Sequence, residues 1–170
     1  MVLYLVGTYH SNQPLGCTEG MYLEFKEYLP NLCDIESIDL LAEEFSEEAL
    51  GLWKATTTVA QQLATERQIT HIFCDPNTDQ RRELGIPNDE ELKSKLGYGS
   101  ILNLSQLKQI SIEELSFWSI REEYWLNRVL EITANKCLFV LGSGHVDSFS
   151  MLLTNRGFSI EIKNHNWPMS

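Results

Sequence analysis

Apolar positions along the chain fall into two kinds of run. Short, continuous ones read as strands: Val2 to Gly7 (VLYLVG), Ser37 to Glu44 (SIDLLAEE), Thr70 to Cys74 (THIFC) and Lys136 to Gly142 (KCLFVLG). Phe158 to Lys163 (FSIEIK) alternates apolar and polar residues, as an edge strand exposed on one side does. Longer amphipathic runs lie between them. Met21, Tyr22, Phe25 and Leu29 predict a helix over Glu19 to Leu29. Ser46 to Arg67 reads as one helix whose Ser46 side chain accepts from Glu48 and Ala49. Ile112 to Thr133 is the longest helical pattern, with Ser111 as its N-cap, and Val146 to Asn155 a last helix closed by Gly157.

Strands alternating with helices imply right-handed crossovers and a mostly parallel sheet. The expected fold is therefore a single α/β domain over residues 1–170, with about five strands flanked by helices. Residues 76–111, rich in turn signals (DPN, GIPND, GYG), read as a helical and loop insertion, or lid, between the third and fourth strands.

Composition narrows the partners. The 170 residues carry 13 Lys and Arg against 24 Asp and Glu, a net charge of −11, which argues against tracking nucleic-acid phosphates or anionic membranes. At 43% apolar residues the chain can bury a single core, roughly 70% of its unfolded surface. Its beginning reads as a strand and no run reaches membrane-spanning length. The four cysteines show no C-x-x-C spacing, and Cys74 and Cys137 lie in or beside apolar strands; reduced thiols and a cytoplasmic location are expected.

In an open α/β sheet, ligands bind beyond the carboxyl ends of the strands. The first strand is followed by Gly7-Thr8-Tyr9-His10, the second ends in Glu43-Glu44, the third is followed by Asp75, Asn77, Arg81 and Arg82, and the fourth by Gly142-Ser143-Gly144-His145. Two G-x-x-H elements at strand ends would bring His10 and His145 to one rim as bases or metal ligands. Strand alternation turns only one of Glu43 and Glu44 into that rim, without saying which. Asp75 could orient a histidine or bind a cation, or simply form an Asx-turn before Pro76. Arg121, on the longest helix with Trp125 four residues on, could clamp an anion or pair on the surface. Mid-strand His71 reads as structural and His165 as exposed. Dinucleotide and P-loop patterns and a serine-hydrolase elbow are missing.

The segments YLVGTYHSNQ and LFVLGSGHVDSFSMLLTNRGFSIEI, with Arg121-Glu122 and Trp125 between them, resemble the paired G-x-x-H motifs and helical arginine of the erythromycin esterase, TraB and Tiki superfamily. The resemblance implies that His10, His145 and Arg121 belong to one site, with a carboxylate from Glu43, Glu44 or Asp75. It implies a site more than a substrate, because ester hydrolysis, metal-dependent peptide cleavage and haem binding are all attributed to that superfamily.

The leading expectation is a hydrolase acting on a small molecule or peptide. His10 or His145 would serve as general base, oriented by a carboxylate from Glu43, Glu44 or Asp75, and Arg121 would stabilise the oxyanion or hold a substrate acid. In a metal-dependent form, His10, His145 and Glu43 would hold Zn, Mn or Co. The rival is a non-catalytic protein that binds or senses a small anion through Arg121, Arg81 or Arg82. A pure interaction module ranks last, since it leaves the double G-x-x-H unexplained; Trp118 and Trp125 could mark a homo-oligomer interface.

Overall fold

A computed structural model describes residues 1–15 and 22–167 of the chain. Five strands form one parallel sheet: β1 (Val2–Thr8), β2 (Leu40–Glu43), β3 (Thr70–Phe73), β4 (Lys136–Gly142) and β5 (Ser159–Trp167). Their spatial order is β3-β2-β4-β1-β5, so β1, β4 and β2 lie side by side in the middle. The central strands read as unbroken apolar runs because both faces are covered. On one face Tyr4, Val6, Leu41, Leu138 and Val140 meet α1 (Tyr22–Glu36) and a helix at Val59–Arg67. On the other, Leu3, Leu5, Ala42, Phe139 and Leu141 meet Trp125, Leu126, Val129, Phe149 and Leu153 of two further helices. As expected of an α/β fold, helices flank the sheet on both sides, and β5 occupies an edge, pairing with β1 alone. No helix among the described residues is long and apolar enough to cross a membrane.

Helix boundaries differ from the expected ones for local reasons. The predicted start at Glu19 lies outside the described residues, as does Cys17. α1 runs on through Pro30 to Glu36 because Leu32 and Cys33 extend the buried face that Phe25 and Leu29 begin. Ser46 to Arg67 is two helices, not one: α2 (Glu47–Leu52) and α3 (Val59–Arg67). The Ser46 side chain accepts from Ala49 N, as expected, but Lys54 takes a left-handed turn (φ 53°) and Thr58 starts a second helix, its side chain capping Gln61 N. The expected insertion forms α4 (Thr78–Glu83), α5 (Asp89–Lys95) and the first turns of α6 (Leu104–Leu130). Asn103 caps α6 in a reciprocal box with Gln106; Ser111 instead donates its hydroxyl to the Leu107 carbonyl inside the helix. α7 (Val146–Asn155) ends before Gly157, which takes φ +83°.

Candidate functional site

Four adjacent strand ends and one helix build the site. After β1 the chain enters a single 3₁₀ turn, His10–Asn12, and after β4 a second one, Ser143–His145, which leads into α7. Both turns stand at the carboxyl end of the sheet, where Glu44 follows β2 on the far side of β4 from β1 and Asp75 follows β3. α6 passes across this end and supplies Trp118, Arg121, Glu122 and Trp125.

Glu44 is the hub. Its Oε2 accepts from the backbone N–H of Gly142 at 2.7 Å, and its Oε1 accepts from Arg121 Nη2 at 2.9 Å. The Nε2 atoms of His10 and His145 each lie 3.7 Å from that same Oε1. Gly142 makes room for this close approach: a Cβ on it would stand 3.1 Å from Glu44 Oε2 and 3.2 Å from His10 Nε2. The His145 side chain is 7% exposed, whereas that of His10 is 47% exposed and opens the site to solvent.

Each imidazole has its other nitrogen engaged. His145 Nδ1 lies 2.8 Å from Oε1 of Glu122, and Ser148 donates its hydroxyl to the same oxygen. The carboxylate can only accept, so Nδ1 of His145 carries a proton, and in the neutral ring it is Nε2 that holds the lone pair. Gln13 Nε2 lies 3.2 Å from His10 Nδ1, so the amide donates and the His10 proton sits on Nε2. One imidazole therefore offers a base and the other a hydrogen-bond donor. Trp118 covers His145 with ring centroids 3.9 Å apart, and Trp125 meets its edge at 4.9 Å.

Arg121 ties the hub to the third strand. Its Nε and Nη2 donate to Asp75 Oδ1 at 3.1 and 2.7 Å, and Trp125 Nε1 donates to that oxygen as well. Arg81 Nη2 donates to Asp75 Oδ2. Burial alone would push the Asp75 carboxyl up, but the Arg121 and Arg81 guanidiniums outweigh it and hold it below the ordinary carboxylate range. Burial would lower Arg121, while Glu44 and Asp75 together keep it above its ordinary value.

Of the residues singled out in the sequence, His10, His145, Glu44, Asp75 and Arg121 are brought together. Glu43 is not. It points to the opposite face of the sheet, where its Oε1 accepts from Thr58 and lies 2.7 Å from His71 Nε2. The expected metal set of His10, His145 and Glu43 is therefore split across the two faces of the sheet. Glu44, the carboxylate on the histidines' side, has one oxygen on the Arg121 guanidinium and the other on the Gly142 N–H. A Zn-type ion needs three donors at about 2.0–2.3 Å. Among the described residues no three His, Cys, Asp or Glu side chains are grouped in that way, and the residues do not fit Zn, Mn or Co as they stand.

The arginines expected to hold an anion all have carboxylate partners: Arg121 and Arg81 are taken by Asp75 and Glu44, and Arg82, on the exposed surface, by Asp79. Glu122 was missed as a site residue, although a carboxylate one position from Arg121 on an inward helix was a readable signal. Gln13, three residues after His10, was likewise passed over. No protein-family model, curated protein or solved structure matches the chain.

Proposed function

We propose that the protein is a hydrolase in which His145 activates water for attack on a carbonyl carbon of a small-molecule or peptide substrate. The observation that carries this reading is the pair of contacts on the far ring nitrogens, His145 Nδ1 to Glu122 Oε1 at 2.8 Å and His10 Nδ1 to Gln13 Nε2 at 3.2 Å, which favour opposite tautomers. His145 Nε2 takes a proton from water; the hydroxide formed attacks the carbonyl; the proton then passes to the departing alcohol or amine. The charge gained by the imidazole is offset by Glu122 on one side and Glu44 on the other. His10 Nε2–H polarises the carbonyl and stabilises the oxyanion, a part that the sequence alone suggests for Arg121. Arg121 is a positioning residue that fixes Glu44 and Asp75. Anion sensing is disfavoured, since each guanidinium it would use already has a carboxylate partner.

On the same footing we place the protein in the reducing cytoplasm, because Cys33, Cys74 and Cys137 are free, buried thiols. The test of the reading is turnover of p-nitrophenyl acetate, p-nitrophenyl butyrate and a chromogenic peptide amide by the wild type, His145→Ala and His10→Ala. Hydrolysis of at least one substrate that falls at least a hundredfold in His145→Ala and falls in His10→Ala supports it. Full activity in either variant contradicts it.

A further inference from the structure

A second histidine–carboxylate pair lies at the floor of a cleft of about 750 Å³ beside β3, at the edge of the sheet. His71 Nε2 is held by Glu43, whose side chain is fully buried, so Nδ1 is the ring atom left for hydrogen bonding. Three amide side chains on the walls are oriented by the protein itself. The carbonyl oxygen of Gln61 accepts from Thr57 Oγ1 at 2.6 Å, that of Asn77 from Gln80 N at 2.9 Å, and that of Gln80 from Asn77 N at 2.9 Å. Among the described residues none accepts from the NH₂ group of any of the three amides, and all three line one cleft. Phe73 and Tyr124 add aromatic surface to the same walls.

Most charges at this cleft are paired: Asp75 and Asp79 with arginines, and Arg128 with Glu131. Glu48 accepts from Thr78 N and Oγ1 and, like Glu47, keeps its negative charge. An anion would thus meet two carboxylates, whereas a ligand rich in hydroxyls can accept from the NH₂ groups and donate to Glu47 and Glu48. We infer that this cleft binds a neutral polyhydroxylated ligand of the saccharide class, with Gln61, Asn77 and Gln80 as donors and Tyr124 as a platform for the ring. The volume lies in the range of small-molecule sites. An extended peptide is the poorer occupant, because β3 offers an edge of only four residues for strand pairing.

The inference goes beyond the hydrolase reading and its test does not use hydrolysis. Side-chain amide ¹H–¹⁵N resonances of Gln61, Asn77 and Gln80 are followed while the protein is titrated with glucose, N-acetylglucosamine and maltose, and separately with spermidine, inorganic phosphate and triglycine. The expected result is saturable movement of these resonances with at least one sugar. Affinity should weaken about tenfold or more in both Tyr124→Ala and Gln61→Ala, the loss of roughly one good contact. No saturable movement with any sugar, stronger movement with spermidine, phosphate or triglycine, or unchanged sugar affinity in both variants would overturn the assignment.

Discussion

Nδ1 of His145 lies 2.8 Å from Oε1 of Glu122, a carboxylate buried to 3% exposure on the inward face of the longest helix. A buried acceptor at that distance keeps the imidazole proton on Nδ1, holds the ring against rotation and leaves Nε2 basic. Glu122→Gln keeps the volume and removes the charge. It should lower kcat on a responsive ester by about 10²–10⁴-fold, the usual scale of general-base assistance, with little change in KM. Steady-state kinetics with circular dichroism as a fold control would check this; an unchanged kcat would remove Glu122 from the account.

Asp75 links pH to stability. Its carboxyl is held below the ordinary range by Arg121 and Arg81, despite its burial. A depressed folded-state value means that its contribution is fully present above the unfolded-chain value of about 3.9 and is lost as pH falls through the lower folded value. Asp75→Asn leaves Arg81 without its carboxylate and Arg121 with Glu44 alone, and should cost about 3–5 kcal/mol at pH 7. The gap between wild type and variant should narrow as pH drops below about 4. Urea unfolding at pH 7 and at pH 3 measures both values; a gap that widens in acid would contradict the assignment.

Two glycines should answer differently to the same methyl group. A Cβ on Gly142 meets only side-chain atoms, Glu44 Oε2 at 3.1 Å and His10 Nε2 at 3.2 Å. Gly142→Ala should keep the fold, push these two groups apart by tenths of an ångström and reduce turnover. On Gly7 the Cβ runs into the backbone carbonyl of His165 and Cγ2 of Val146. Gly7→Ala should therefore destabilise by about 1–3 kcal/mol or more, as overpacking does. Thermal melts beside activity assays separate the cases; equal loss of stability in both would show that Gly142 serves the fold and not the site.

What could be read from the sequence follows from the range of each interaction. The central strands show themselves because Leu3, Leu5, Leu40, Phe139 and Val140 are buried on both sides, which leaves no polar position to confuse the pattern. The rim residues follow from strand ends alone, so His10, Glu44, Asp75 and His145 were within reach. The choice between Glu43 and Glu44 was not, because it depends on which face α3 covers: Thr58 and His71 claim Glu43 from that side. The split of the Ser46–Arg67 helix turned on a competition between two caps, Ser46 and Thr58, that look alike in sequence. Asn103 displaced Ser111 as the α6 cap, although Ser111 also has a carboxylate, Glu114, three residues on, because Ile110 is buried and the helix runs on through Ser111 to the box of Asn103 and Gln106. Arg121 looked free to bind an anion because its partners Glu44 and Asp75 are 77 and 46 residues away.

The central claim is that His145 Nε2 is the base. The most direct measurement is the turnover of His145→Ala on the best ester substrate of the wild type, with and without added imidazole. The account predicts at least a hundredfold loss that millimolar imidazole partly restores, in a protein with wild-type stability. Wild-type turnover by His145→Ala would contradict it.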